Sequence, residues 1–173
     1  MNILAIDQAR SGAWSVYDYE EKALIAYGVF SFPVDKFTYA QVMVGICDAV
    51  SDLIDKYCIS AVFIEDIQLQ KNADSFKKLA QLQGSLISMF ERNEYLYDLI
   101  PPSKWQGFCN ARGRTAKEIK RNLTELTSDK KQSKVLSIQA VKELYGVDTL
   151  NDNLADSIMI GHYVVNNVEI VTV

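Results

Sequence analysis

The apolar residues of the first third fall in short runs of strand character. Asn2 to Ile6 is a continuous apolar run, Ala13 to Tyr19 partly alternates, and Ala23 to Phe32 is rich in β-branched and aromatic residues. Gly12 and the polar stretch Asp18 to Lys22 break these runs, so the pattern predicts an antiparallel meander of three strands. The period then changes. Val42, Met43, Ile46, Val50, Leu53, Ile54 and Tyr57 recur at helical spacing behind Thr38 and Gln41, which form a capping-box pair. Ala61 to Ile64 is an apolar run ending at Glu65, as expected of a short strand buried on both faces. Asn72 to Glu91 is helical again, and its apolar residues Phe76, Leu79, Leu82, Leu86, Ile87, Met89 and Phe90 exceed one narrow stripe. A last strand is expected over Tyr95 to Ile100, stopped by Pro101 and Pro102, neither of which can donate to a ladder. Beyond it lie broken helix and loop, a helix over Lys134 to Leu144 that Gly146 stops, and a final helix N-capped by Asn151 or Asp152 and running to about Val165.

Three strands, then helix, strand, helix, strand and two helices, make a mixed sheet of five strands with helices on both faces. That α/β order resembles the RNase H-like fold. With 173 residues the chain has room for one well-cored domain, spanning 1–173, and for no second. No apolar run approaches the roughly 20 residues that cross a bilayer, and MNILAIDQ lacks the basic flank of a signal peptide. Cys47, Cys58 and Cys109 are too dispersed for a disulfide framework or a zinc site, and fit a reducing cytoplasm.

Charge complicates this picture. The net charge of −4 argues against nucleic acid until its distribution is considered. Between Lys104 and Lys142 ten basic residues stand against three acidic ones, a local +7, while the remainder carries −11. Such asymmetry is expected of a surface that meets a polyanion, with the other carboxylates reserved for a separate task; a solvated lysine-rich helix explains the charge alone equally well.

Three acids occupy awkward positions. Asp7 closes the first strand, Glu65 closes the buried strand, and Asp156 lies within LADSIMIG of the last helix, each flanked by core-type residues. Partly buried carboxylates that converge repel one another unless cations neutralise them, and the hard ions Mg²⁺ and Mn²⁺ take such oxygen ligands. His162 is the only histidine, so no imidazole cluster competes. Asp152 and Asp156 stand four apart on one helix face and are able to share a metal or its water. Bland alternatives exist: Asp152 as a cap, Asp7 as a turn former, Glu65 as an exposed strand end.

Longer strings shift the balance between them. Glu65 to Ser75 (EDIQLQKNADS) followed by KKLAQLQG resembles the segment of RuvC-type Holliday junction resolvases in which a catalytic Glu precedes a loop, a KNADS-like helix start and a Lys-Leu-x-Gln-x-x-Gly run. ILAID at Ile3 to Asp7 is similar to that family's first catalytic strand, NLADSIMI at Asn153 to Ile160 to its C-terminal helix, and IPPSKW with the lysine-rich stretch to its proline-and-lysine section. The resemblance runs nearly the whole length, in order, and suits a compact phage or bacterial member. It implies that Asp7, Glu65 and Asp156 are metal ligands, with Asp152 as the fourth acid and the amide oxygen of Asn153 as the alternative. It implies Lys134 as the catalytic helper, with Lys131 and Lys120 behind it. The chain departs from the family pattern at Asp7-Gln8-Ala9, where Asp-Pro-Gly is usual, and at Gln68, where some relatives carry an aromatic wedge.

The implied activity is Mg²⁺-dependent hydrolysis of DNA phosphodiesters at four-way junctions, in recombination, repair or phage DNA processing. Mn²⁺ is expected to substitute, with two ions per site and no organic cofactor. Lys71, Lys104, Arg112, Arg114, Lys117, Lys120, Arg121, Lys130 and Lys131 would track phosphates. Paired nicks in a near-symmetric junction call for a C2 homodimer, with Asn72 to Glu91 as its candidate element, although burial of that helix within the protomer explains the same pattern. The alternatives are a non-catalytic junction-binding module and a less selective nuclease of forks and flaps. A sugar-kinase-type phosphotransferase needs a second domain and glycine-rich phosphate loops that the chain lacks.

Overall fold

The computed structural model describes residues 1–33, 35–69, 72–109 and 132–170, with residues 132–135 described as backbone only. Strands β1 (Asn2–Asp7), β2 (Ala13–Asp18), β3 (Ala23–Val29), β4 (Ile59–Glu65) and β5 (Tyr97–Ile100) form one sheet in the order β3-β2-β1-β4-β5. β1 pairs antiparallel with β2 and parallel with β4, and β5 continues the parallel side. Ile3, Leu4, Ala5 and Ile6 are all fully buried, which is why the central strand reads as an unbroken apolar run.

Each face of the sheet carries its own core. Leu4, Ile6, Val16, Val62 and Ile64 pack against α1 (Tyr39–Tyr57) and α2 (Ala73–Arg92), which cross over between the parallel strands. Ile3, Ala5, Ala13, Tyr17, Ala61 and Phe63 face Trp105 of α3 (Pro102–Phe108), Val141 of α4 (Gln132–Tyr145) and Ala155, Ile158 and Met159 of α5 (Asp152–Asn167). The capping box of α1 is formed by Thr38 and Gln41 as the sequence predicts.

Two boundaries differ from the sequence reading. β3 ends at Val29 rather than Phe32, because Arg10 gathers the carbonyls of Phe32, Pro33 and Phe37 and turns that segment away from the sheet. Pro102 does more than stop β5: it occupies the first turn of α3, where its missing N–H costs nothing. Of the two caps the sequence offers for α5, Asn151 is the one used, accepting from the N–H of Leu154 at 3.1 Å. α2 buries a single stripe of Leu82, Gln83, Leu86 and Phe90, leaving Phe76, Leu79, Ile87 and Met89 half-buried.

Candidate active site

Strand parity gathers the acids. Ile6 stands opposite Ile64 in the parallel pair, so Asp7 and Glu65 end adjacent strands at matching positions. Asp7 continues the alternation of Ile3 and Ala5, and Glu65 that of Ala61 and Phe63, so both carboxylates belong to the face covered by α5. Asp7 is 8% exposed and Glu65 half-buried. The N-terminus of α5 reaches the same end of the sheet, where Asn153 donates from Nδ2 to the carbonyl of Ser11, 2.8 Å away in the turn after β1. Asp152 and Asp156, both half-buried, follow one another on that helix one turn apart.

Two glycines make these approaches possible. At Gly12 a Cβ would lie 2.3 Å from the carbonyl oxygen of Asp7, so only glycine lets the chain turn back on the end of β1. At Gly161 a Cβ would meet the ring of Tyr17 at 2.3 Å, and without one α5 lies directly on β2. There the hydroxyl of Ser15 donates to the carbonyl of Ser157 and that of Tyr17 to the carbonyl of Ile158, each at 2.8 Å and each buried.

Short helix α3 links the two sides of the site. The indole Nε1 of Trp105 donates to Oε1 of Glu65 at 2.9 Å. Cys109, just past the end of the helix, directs its Sγ to the carbonyl of Met159 on α5. Burial first, and the negative charge of Asp156 second, push the Cys109 thiol up to about 12. On the opposite side of the strand ends, Gln8 donates from Nε2 to the carbonyl of Glu65 at 3.1 Å, and Gln83 makes a long bond of 3.4 Å to Asp66. Oε1 of Gln8 is buried and has no hydrogen-bond partner among the described residues.

Asp7 and Glu65 thus share one end and one face of the sheet, and the helix that covers this face carries Asp152 and Asp156. Among the described residues no three histidine, cysteine, aspartate or glutamate side chains come close enough to hold one ion between them. The chemistry of the donor set nevertheless fits a hard divalent cation, since it consists of carboxylate oxygens with no competing thiolate or imidazole.

Of the basic residues, Lys104 is exposed on α3 and Lys134 lies in the first turns of α4, on the face of the sheet that α5 covers. Lys71, Arg112, Arg114, Lys117, Lys120, Arg121, Lys130 and Lys131 lie outside the described residues. The loop after Glu65 exposes Gln68 and, beside it, Leu69, which is 87% exposed. Sequence reasoning missed Trp105, Gln8 and Gln83. Nothing about an isolated tryptophan distinguishes a core residue from one that bonds a candidate site acid, whereas Gln8, adjacent to Asp7 and standing where the resembled family usually has proline, was a readable signal.

A family model described as crossover junction endodeoxyribonuclease RuvC matches residues 3–161. No curated protein matches the sequence. Among solved structures, Thermus thermophilus RuvC is similar with a TM-score of 0.68 at 15% identity, over 94% of this chain and 92% of that one. The yeast mitochondrial Holliday junction resolvase gives 0.58 at 12% identity over 94% and 78% of the two chains. The fowlpox virus Holliday junction resolvase gives 0.56 at 15% identity over 97% and 100%. These likenesses bear out the RNase H-like fold.

Proposed function

The chain belongs to the RuvC family of crossover junction endodeoxyribonucleases, metal-dependent enzymes that resolve Holliday junctions, and from that premise we propose that Asp7, Glu65, Asp152 and Asp156 form its metal-binding catalytic centre. The observation that carries this reading is the meeting of Asp7 and Glu65 at adjacent carboxyl ends of β1 and β4, on the face covered by the helix that bears the other two acids. Mg²⁺, with Mn²⁺ as its substitute, is the ion the oxygen donors favour, and Asp7, Glu65, Asp152 and Asp156 would together hold two ions per site. When bound, the metal supplies Lewis-acid activation of water and stabilises charge on the scissile phosphate.

The remaining roles belong to this chain's own side chains. Glu65 and the α5 acids hold opposite sides of the site, and Asn153 fixes the start of α5 through its amide nitrogen, which leaves its amide oxygen as the alternative to Asp152 for the fourth ligand. Lys134 adds positive charge near the phosphate, a preorganised contribution whose removal costs on the order of 100-fold. Lys104 and the basic residues between Arg112 and Lys131 bind phosphates without reading bases. Two protomers related by a two-fold axis would nick opposed strands, and the half-buried row on α2 supports that helix as the dimer element. The free cysteines support action in a reducing cytoplasm. No helix among the described residues is long and apolar enough to cross a membrane.

The deciding experiment compares cleavage of labelled four-way, forked and linear DNA in Mg²⁺ by the wild-type protein and Asp7→Asn. We expect the wild type to cut the four-way junction selectively, and Asp7→Asn to lose cleavage by at least about 100-fold while still binding. Equal cutting of linear duplex would overturn junction selectivity. Tight junction binding by a wild type that cuts nothing would leave a binding module in place of the enzyme. Sedimentation of the junction complex as a single protomer would remove the dimer.

A further inference from the structure

We propose that Trp105 is a positioning residue for Glu65, its indole N–H fixing the carboxylate in the orientation that receives the metal. This rests on the reading of Glu65 as a ligand. The bond from Nε1 to Oε1 is 2.9 Å long, and Trp105 is 1% exposed, so the donor has no access to water as an alternative acceptor. A buried indole N–H requires an acceptor, and a carbonyl would ordinarily serve. Here the acceptor is a functional carboxylate forty residues earlier in the chain. A bond to a carboxylate is charge-assisted and directional, and because a carboxylate offers about four lone-pair positions, one such bond does not prevent ligation.

The surrounding backbone keeps this donor in place. Glu65 pairs with Ile100 at the end of the β4–β5 ladder, and the N–H of Asp66 donates to the carbonyl of Ile100 at 2.9 Å. Trp105 follows only five residues later, on a helix that Pro102 begins. The far end of that helix meets α5 at the carbonyl of Met159, one turn beyond Asp156. Glu65 therefore gets its orientation from an element braced against both its own strand and the helix carrying the other acids. A glutamate left to its own rotamers would lose conformational freedom each time metal bound; one held by Trp105 has already lost it.

The test uses the full chain in a Trp14→Phe background, which leaves Trp105 as the only tryptophan. Incorporating benzothienylalanine there replaces the indole N–H by sulfur in a ring of nearly the same shape, and so removes the bond while filling the core. Mn²⁺ affinity is measured without DNA from the electron paramagnetic resonance signal of the free ion, with folding followed by circular dichroism. The expected result is a loss of about 10-fold in Mn²⁺ affinity at unchanged fold, of the size seen when a ligand loses its outer partner. In the metal-free indole protein, Glu65→Gln should move the single indole N–H resonance. Equal Mn²⁺ affinity for the isostere and the indole protein, while Glu65→Gln weakens it, would overturn the role of Trp105 alone. Unchanged affinity in Glu65→Gln would overturn the ligand reading and this inference with it. An indole resonance that ignores Glu65→Gln would overturn the hydrogen bond itself.

Discussion

Cys109 and His162 show how single side chains on the α5 face are governed by what surrounds them. A thiol raised from 9.0 to about 12 carries on the order of 1,000-fold less thiolate near neutral pH, so Cys109 should resist iodoacetamide at pH 8 while exposed Cys58 reacts. Peptide mapping after timed alkylation checks the order, and early modification of Cys109 would contradict its environment. His162 lies 2.6 Å through Nδ1 from the hydroxyl of Tyr145, and burial first, then the charge of Lys22, holds it below the ordinary 6.5. The native imidazole therefore takes a proton less readily than the unfolded one. Its contribution to stability is full above pH 6.5 and is lost as pH falls through the lowered native value. Urea midpoints at pH 7.5 and 5.5 should accordingly differ less in His162→Gln than in the wild type. Neither environment could be read from the sequence, because the partners that set it come from other elements.

Among the elements, α5 has the tightest tolerance, since it carries two of the proposed ligands and lies on β2 without a side chain at position 161. Gly161→Ala forces a methyl into the Tyr17 ring and the buried Ser15 and Tyr17 hydrogen bonds. Overpacking of this kind costs about 1–3 kcal/mol, and in a chain of this size each kcal/mol lowers Tm by about 2–4 °C. Calorimetry should record that loss, and cleavage should fall with it as Asp152 and Asp156 move. Thr38→Ala removes one half of the α1 capping box, costing about 1 kcal/mol and leaving cleavage unchanged. A similar fall in activity for both variants would show that stability, rather than the seating of α5, is being measured. The α1 cap was legible because its two residues lie three apart. The early end of β3 was not, because it depends on Arg10, more than twenty residues away, gathering carbonyls beyond the strand.

Across the whole molecule, charge separation is what the proposed DNA binding would rest on. Ten basic residues within Lys104 to Lys142 should make junction affinity fall by about 1,000-fold or more between 50 and 200 mM salt, measured by fluorescence anisotropy of a labelled junction with Asp7→Asn. A shallow salt dependence would mean that this segment does not meet the phosphates. The sequence by itself determined the sheet and helix order, the asymmetry of charge, and the placing of Asp7, Glu65 and Asp156 at element ends or within a core-facing helix. These are legible because strand and helix periods, caps and breakers act over a few residues. Tertiary structure alone decided that Trp105 bonds Glu65, that Asn153 holds the turn after β1, that Gly161 admits Tyr17, and that Pro102 begins a helix braced between both sides of the site. Each of these contacts, apart from the start at Pro102, joins residues at least forty positions apart. Which of many core-type side chains meet is fixed by strand order and helix placement, and no local period encodes that.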